Sequence, residues 1–334
     1  MKKMVFLFFG SLWVAEVFSQ VYDADALKFA RQQTGGTARS MGVAGAFGSV
    51  GADLSATLNN PAGIALYRAS EVSLGIGIHA AHSGSLFFNQ ERHSDKSRFS
   101  FNYFGFVIAV PSQRKNTISF SSSNLRFVNI ALTYHRISTF DRSVTFEAYN
   151  KKNVFAGSWV NELNGLNNAV PSFTNASVAA VLAYKNESVV KDSVSGKYVT
   201  YMRPPLLQSG SIEESGALDE LNISLGFNVI DKVFFTVNAG IPIVSYQVNH
   251  RYQERDAADS IPFFNDYLYK QFYRTNGLGF HVKLGLIFRP VSWYRGGIAF
   301  HSPTWLRLDE NYYASLTENY NQLEYFQDVS FAPF

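Results

Sequence analysis

From Leu221 to Val229 the chain alternates without a break: Leu221, Ile223, Leu225, Phe227 and Val229 are apolar, and Asn222, Ser224, Gly226 and Asn228 between them are polar or small. Period two is the spacing at which successive side chains of a strand fall on opposite faces. After Ile230, Asp231 and Lys232 the alternation resumes through Val233, Phe235, Val237, Ala239 and Ile241. If Val229 pairs with Val233, Phe227 lies opposite Phe235 and Leu225 opposite Val237, so one face of the hairpin is wholly apolar. A chain that repeats this pattern is confined to antiparallel sheet with one dry face and one wet face.

The pattern does repeat. Phe280, Val282, Leu284, Leu286 and Phe288 alternate with His281, Lys283, Gly285, Ile287 and Arg289, Pro290 to Ser292 reverse the chain, and Trp293 to His301 return. Pairing Arg289 with Trp293 predicts Ile287 opposite Arg295, Lys283 opposite Ala299, Val282 opposite Phe300, Leu284 opposite Ile298 and His281 opposite His301. Further strands are predicted from Glu71 to Ala80, Phe99 to Val110 and Leu125 to Tyr134, with another stretch from Phe140 to Tyr149. Alternation is common to a soluble sandwich and a barrel, and it does not say which face points inward.

The ends and the composition bear on that choice. Lys2 and Lys3 precede an apolar stretch from Met4 to Val17, and Val17 and Ser19 stand at cleavage spacing before Gln20, so residues 1–19 read as a secretory signal. The stretch is too short for a membrane helix and contains Glu16. Removing it lowers the formal charge from +3 by two lysines and one glutamate, which leaves nothing to attract nucleic acid. There is no cysteine, so disulfides are excluded. Aromatic residues make up 16% and charged residues only 16%, below the roughly 25% charge of ordinary soluble domains. No later apolar run is long enough for a membrane helix. These features together point to an all-β fold, a transmembrane antiparallel β-barrel of a cell outer membrane with its apolar face to lipid.

On that reading the turns at 230–232 and 290–292 are periplasmic, and 81–98, 150–216, 242–275 and 303–325 are long external loops. One interrupted strand from Leu125 to Tyr149 rises before the 150–216 excursion, in which Asn175 to Ala183 is a short helix or lid. Seven spanning elements result, an odd number. Pro333 and the weakly alternating stretch before Phe334 make a poor closing strand, so the barrel, 71–334, reads as incomplete.

Residues 20–70 precede the first strand and are expected to plug the barrel. Thr34 to Leu66 contains Gly35-Gly36-Thr37-Ala38-Arg39, glycines at 42, 45, 48 and 51, and Asn59-Asn60-Pro61-Ala62-Gly63. No strand precedes the glycines, which argues against dinucleotide binding. In these residues, and in the hairpin Gly226-Phe227-Asn228 through Ile241-Pro242, the chain resembles the FadL/TodX family of outer-membrane transporters in its Bacteroidetes form. That resemblance implies a fourteen-stranded barrel with an N-terminal hatch, to whose motif Asn60, Pro61, Ala62 and Gly63 correspond. It also implies lateral exit beside a kinked third strand, with His135 to Asp141 as the counterpart of the kink.

The expected function is uptake of long-chain fatty acids or other hydrophobic compounds with hatch-controlled release; alternatives are a related barrel serving protein secretion or cargo anchoring, and a structural or adhesive barrel. Expected partners are a long-chain or aromatic ligand, outer-membrane lipid and, on the alternative, a secretion-system protein. Phe263, Phe264, Tyr267, Leu268, Phe272 and Tyr273 are candidates for apolar capture or for an aromatic interface belt. Arg251, Lys270 and Arg274 are candidates to hold a carboxylate. His281 and His301 alone make an incomplete metal site, and neither a His-Glu-x-x-His element nor a serine nucleophile set is present, so no enzyme activity, metal or cofactor is expected.

Overall fold

The computed structural model describes residues 23–30, 35–112, 124–166, 169–320 and 326–331. The signal sequence read at 1–19 and the terminal Phe334 lie outside the described residues. Residues 1–32 and 33–334 are two separate units, and the first contributes one described helix, α1 (Asp23–Ala30).

The second unit begins with two short helices, α2 (Ala38–Met41) and α3 (Ala56–Asn59), and a 3-10 turn, Pro61–Leu66. Then come β1 (Glu71–Phe87), β2 (Gln90–Pro111), β3 (Leu125–Thr139) and β4 (Arg142–Asn150). A helical excursion follows, with α4 (Ala156–Asn164), α5 (Val178–Lys185) and the small hairpin β5 (Val190–Lys191) and β6 (Tyr198–Val199). The chain finishes with β7 (Leu206–Val229), β8 (Val233–Arg255), β9 (Phe264–Val291), β10 (Tyr294–His301), β11 (Trp305–Tyr320) and β12 (Phe326–Phe331).

Ten of these strands form one sheet in the order β1-β2-β3-β7-β8-β9-β11-β12, with β4 extending β3 along β7 and β10 pairing the far half of β9. All its ladders are antiparallel. The first hairpin has the register that alternation predicts: Val229 pairs with Val233, Phe227 with Phe235 and Leu225 with Val237. The second is displaced by two residues. Phe300 pairs with Leu284, Ile298 with Leu286 and His301 with Lys283, because the chain turns later, between Val291 and Tyr294, and a bulge between Tyr294 and Gly296 takes back one residue of that offset. His281 and His301 are therefore not cross-strand partners.

The expected closed barrel is not formed. Among the described residues β1 pairs only with β2 and β12 only with β11, so the sheet is open with two free edges, and short helices accompany it in a mixed α/β unit. The physical reason is that alternation assigns residues to faces but says nothing about whether the first and last strands meet. An open sheet encloses no channel, and the assignment to an outer membrane as a multi-pass barrel loses its basis with the closure. No described helix is long and apolar enough to cross a membrane. The predicted external loops are also corrected: 81–98 lies within the β1–β2 hairpin, 242–275 is mostly β8 and β9, and 303–325 is largely β11.

The two faces are loaded in an unusual way. The polar side chains Asn129, Asn222, Asn228, Thr236 and Asn238 are buried, while the apolar alternates Ile78, Leu225, Val237, Leu284 and Ile298 are exposed.

Candidate functional site

The small-residue segment from Gly36 to Tyr67 packs on the polar face. Thr37 caps α2 by accepting from Ser40 N–H and donates to Asp53, whose carboxylate also accepts from Ser55 N–H at 2.9 Å. Asn60 caps the 3-10 turn, accepting from Ala62 N–H at 3.1 Å, and donates to Gly48 C=O at 2.7 Å; Pro61 follows at a position that needs no donor. Ala62 and Ala65 then meet Phe234 and Ile287. Gly63 is required by contact: a Cβ there would lie 2.5 Å from Ala56 Cβ and 2.9 Å from Gly51 Cα.

The sheet holds this segment largely through its main chain. Asn129 Nδ2 donates to Ile64 and Tyr67 carbonyls at 2.8 and 2.9 Å, Lys283 Nζ to Thr57 C=O at 3.1 Å, and Arg295 to Ser49 and Val50 carbonyls. His301 Nε2 lies 2.9 Å from Asn59 C=O and His135 Nε2 3.2 Å from Leu54 C=O, so both rings carry that proton. Lys283 is paired with Glu220 at 2.7 Å in a buried site. Burial alone opposes ionisation of Glu220. The His281 and Lys283 groups nevertheless hold its carboxyl down at about 2. His281 stands 3.6 Å away, beyond hydrogen-bonding reach, so the ammonium is the stronger of the two.

At the other end of the long strands, residues 151–166 and 169–205 form a cap. Trp159 and Leu163 of α4, Leu182 and Ala183 of α5, Val189 and Tyr198 pack on Leu206, Phe264, Tyr267, Tyr269 and Leu316 of the sheet. The indole of Trp159 lies 5.5 Å from the Tyr267 ring, centroid to centroid. Beneath the cap is a polar row. Glu254 accepts from Phe155 N–H at 2.8 Å, from Tyr252 hydroxyl at 2.9 Å and from Gln208.

Beside the cap opens an aromatic cleft of about 650 Å³. One wall is the tip of the β1–β2 hairpin, where Phe88 and Asn89 both take positive φ, 44° and 62°, to close a tight turn. A bulky residue in that region is strained, and here it presents Phe88 beside Phe87, with ring centroids 4.7 Å apart. Phe87 lies 4.9 Å from Phe146 of β4 and Phe155 lies 4.7 Å from Tyr252 of β8, which carries the aromatic lining across to α4. Val154 and Val160 complete the apolar wall, and the amides of Asn150, Asn153, Asn161 and Gln208 supply its polar lining. Outside Phe146 lies a second, polar cleft of about 600 Å³ with Arg92, Glu147, Arg251, Gln253 and Leu268 on its walls. Arg92 there is paired with Glu147 at 2.6 Å.

No family model, curated protein or solved structure matches this chain. The resemblance to the FadL/TodX family is therefore not upheld. Its fold requires a closed wall that the open sheet lacks, and the uptake channel with hatch-controlled release and lateral exit falls with it.

The residues picked out for capture do not converge. Phe264 and Tyr267 are fully buried in the cap core, Phe263 is exposed, Leu268 faces the polar cleft, and Phe272 and Tyr273 are half-buried further along β9. Arg251 and Lys270 are register partners on β8 and β9, while Arg274 pairs with Gln247. Phe87, Phe88, Phe146 and Phe155 were not singled out by the sequence; two adjacent phenylalanines before Asn89 were the available signal for an exposed aromatic hairpin tip.

Proposed function

We propose that this chain is a non-catalytic binding protein for long-chain or aromatic apolar molecules, and that the aromatic cleft between the hairpin tip and α4 is where they sit. The observation that carries the reading is the cleft itself: a volume of about 650 Å³, walled by Phe87, Phe88, Phe146, Phe155 and Tyr252, with four neutral amides among its lining. That size and that mixture of apolar wall and few polar groups are those of small-molecule sites. The exposed apolar sheet face supports the same chemistry, since contiguous apolar surface on this scale marks a contact with apolar matter.

The test is a titration with 1-aminoanthracene, an aromatic dye that brightens on leaving water. Phe146→Ser and Phe155→Ser each remove an aromatic wall, a loss of about 1.5–3 kcal/mol of burial, and are expected to weaken dye binding by roughly tenfold or more. Ile298→Ser, on the exposed sheet face, leaves the high-affinity phase unchanged. Equal affinity in all three variants would refute the assignment of the cleft.

A further inference from the structure

Register brings four residues into a single row beneath the cap. Gln208 of β7 pairs with Glu254 of β8, Glu254 with Tyr267 of β9, and Tyr267 with Glu318 of β11. The two carboxyls flank one fully buried tyrosine, and each reaches a different end of the cap. Glu254 accepts from Phe155 N–H, where α4 begins. Glu318 accepts from Ser188 hydroxyl at 2.6 Å and Asn186 amide at 3.4 Å, just after α5.

Neither carboxyl has a cationic partner among the described residues. Glu254 Oε2 and Glu318 Oε1 are buried without a hydrogen-bond partner, and among the described residues neither acid forms an ion pair with lysine, arginine or histidine. The groups facing Glu254 are Gln208 on β7, Tyr252 on its own strand, Tyr267 on β9 and the Phe155 main chain; Asp256 follows just after the strand. Asp256 is already engaged by Ile261 N–H and Ser260 hydroxyl. Those around Glu318 are Tyr267 on β9, Tyr320 on its own strand, and Asn186 and Ser188. On α5, Lys185 sets its ammonium 4.6 Å from the Phe173 ring, and Glu187 beyond it is exposed.

We propose that the cap, residues 151–166 and 169–205, is a lid on the aromatic cleft, docked while Glu254 and Glu318 carry protons and loosened when they ionise. α4 serves both structures, since Phe155 and Val160 wall the cleft while Trp159 and Leu163 enter the core beneath the cap. An unpaired buried carboxyl is favoured as the neutral acid, which can also donate from its otherwise unpartnered oxygen. Burial accordingly raises Glu254, and it pushes Glu318 up to about 7.

The sign follows. A carboxyl held above its ordinary value binds its proton more tightly when the lid is docked, so docking is strongest below the ordinary carboxylate range, weakens as pH rises towards 7, and levels off above it. For Glu318 the span from 4.5 to about 7 corresponds to roughly a 300-fold fall in the docking equilibrium.

Amide hydrogen exchange in α4 and α5, corrected for the intrinsic pH dependence of exchange, reads this directly in the full chain. Between about pH 5 and about pH 8 protection in the lid is expected to fall by roughly 70-fold on account of Glu318, the remainder of the full span lying below about pH 5. Amides of the β7–β8 hairpin at 221–241 serve as the control and hold. In Glu254→Gln/Glu318→Gln the lid profile becomes flat. A flat profile in the unmodified protein, which needs no variant to fold, overturns the proposal; so does the same fall persisting in the double variant. The lid as an access device rests on the cleft reading, and the two fail separately. Protection that falls with pH while Phe155→Ser leaves dye affinity intact refutes the cleft and keeps the lid.

Discussion

Replacing Lys283 with methionine removes the only ammonium among the described residues at the buried Glu220 carboxylate, and one donor to the Thr57 carbonyl. The size of the effect follows from the site. Glu220 is held from 4.5 down to about 2 against the cost of its own burial, a difference of two and a half units. At about 1.4 kcal/mol per unit this is about 3 kcal/mol of stability. It is present above the ordinary carboxylate range and is lost as pH falls through about 2. An independent expectation, breaking a buried ion pair from one side, is about 3–5 kcal/mol. Urea unfolding at neutral pH in a mild non-ionic detergent, which shields the exposed sheet face, is expected to show Lys283→Met destabilised by about 3 kcal/mol. Glu220→Gln/Lys283→Met recovers most of that, because no charge is left stranded. The penalty of the single variant shrinks in acid as Glu220 takes up a proton in both states. A single variant within about 1 kcal/mol of the parent, or a penalty that does not change with pH, would refute the electrostatic account.

Three further outcomes are expected. His135 is buried and held at about 4, chiefly by burial, so its stabilising effect is complete above about pH 6.5 and declines by about 3 kcal/mol as pH falls towards 4; His135→Gln removes that acid limb from the urea midpoint. Gly63→Ala forces a Cβ against Ala56 and Gly51 and costs about 1–3 kcal/mol, read as faster proteolysis within 36–67; unchanged cleavage would count against the close packing described. Trp159→Ala empties the centre of the cap core, where the indole is buried, at about 3–5 kcal/mol, and exchange in α5 accelerates in consequence.

What the sequence made legible follows from where its pattern was strict. Between Leu221 and Ile241 one face is apolar at every alternate position, and both the hairpin and its register could be read. The β9–β10 register could not, because Pro290 marks a turn that the chain makes only between Val291 and Tyr294, and the bulge at Arg295 then alters the offset by one residue. The strands were cut short at their upper ends because Glu91 to Arg98, Tyr267 to Thr275 and Asp309 to Glu318 carry polar or aromatic residues on both faces, where period two has no hydropathic signal. The helix at the end of the excursion was visible in the apolar run from Ala176 to Ala183, but α4 was not, since Gly157, Asn161, Glu162 and Asn164 dilute its apolar stripe. The open edges were invisible for the reason already given. The row from Gln208 to Glu318 joins residues dozens of positions apart, and only the registers of three successive ladders bring them together.

The manner in which the sheet grips the Gly36–Tyr67 segment has a consequence for genetics. Asn129, Lys283, Arg295 and His301 address carbonyl oxygens, and a carbonyl is the same whichever residue bears it. Alanine scanning along the segment would therefore report on steric fit and leave this grip almost untouched, giving the impression of a loosely attached leader. The attachment is written in the opposite strand partners, so a screen for its loss has to randomise the sheet. By the same logic the segment is free to drift in sequence outside Asn60 and the buried Leu54, Ile64 and Tyr67, while the donors facing it are positions where a single change is felt.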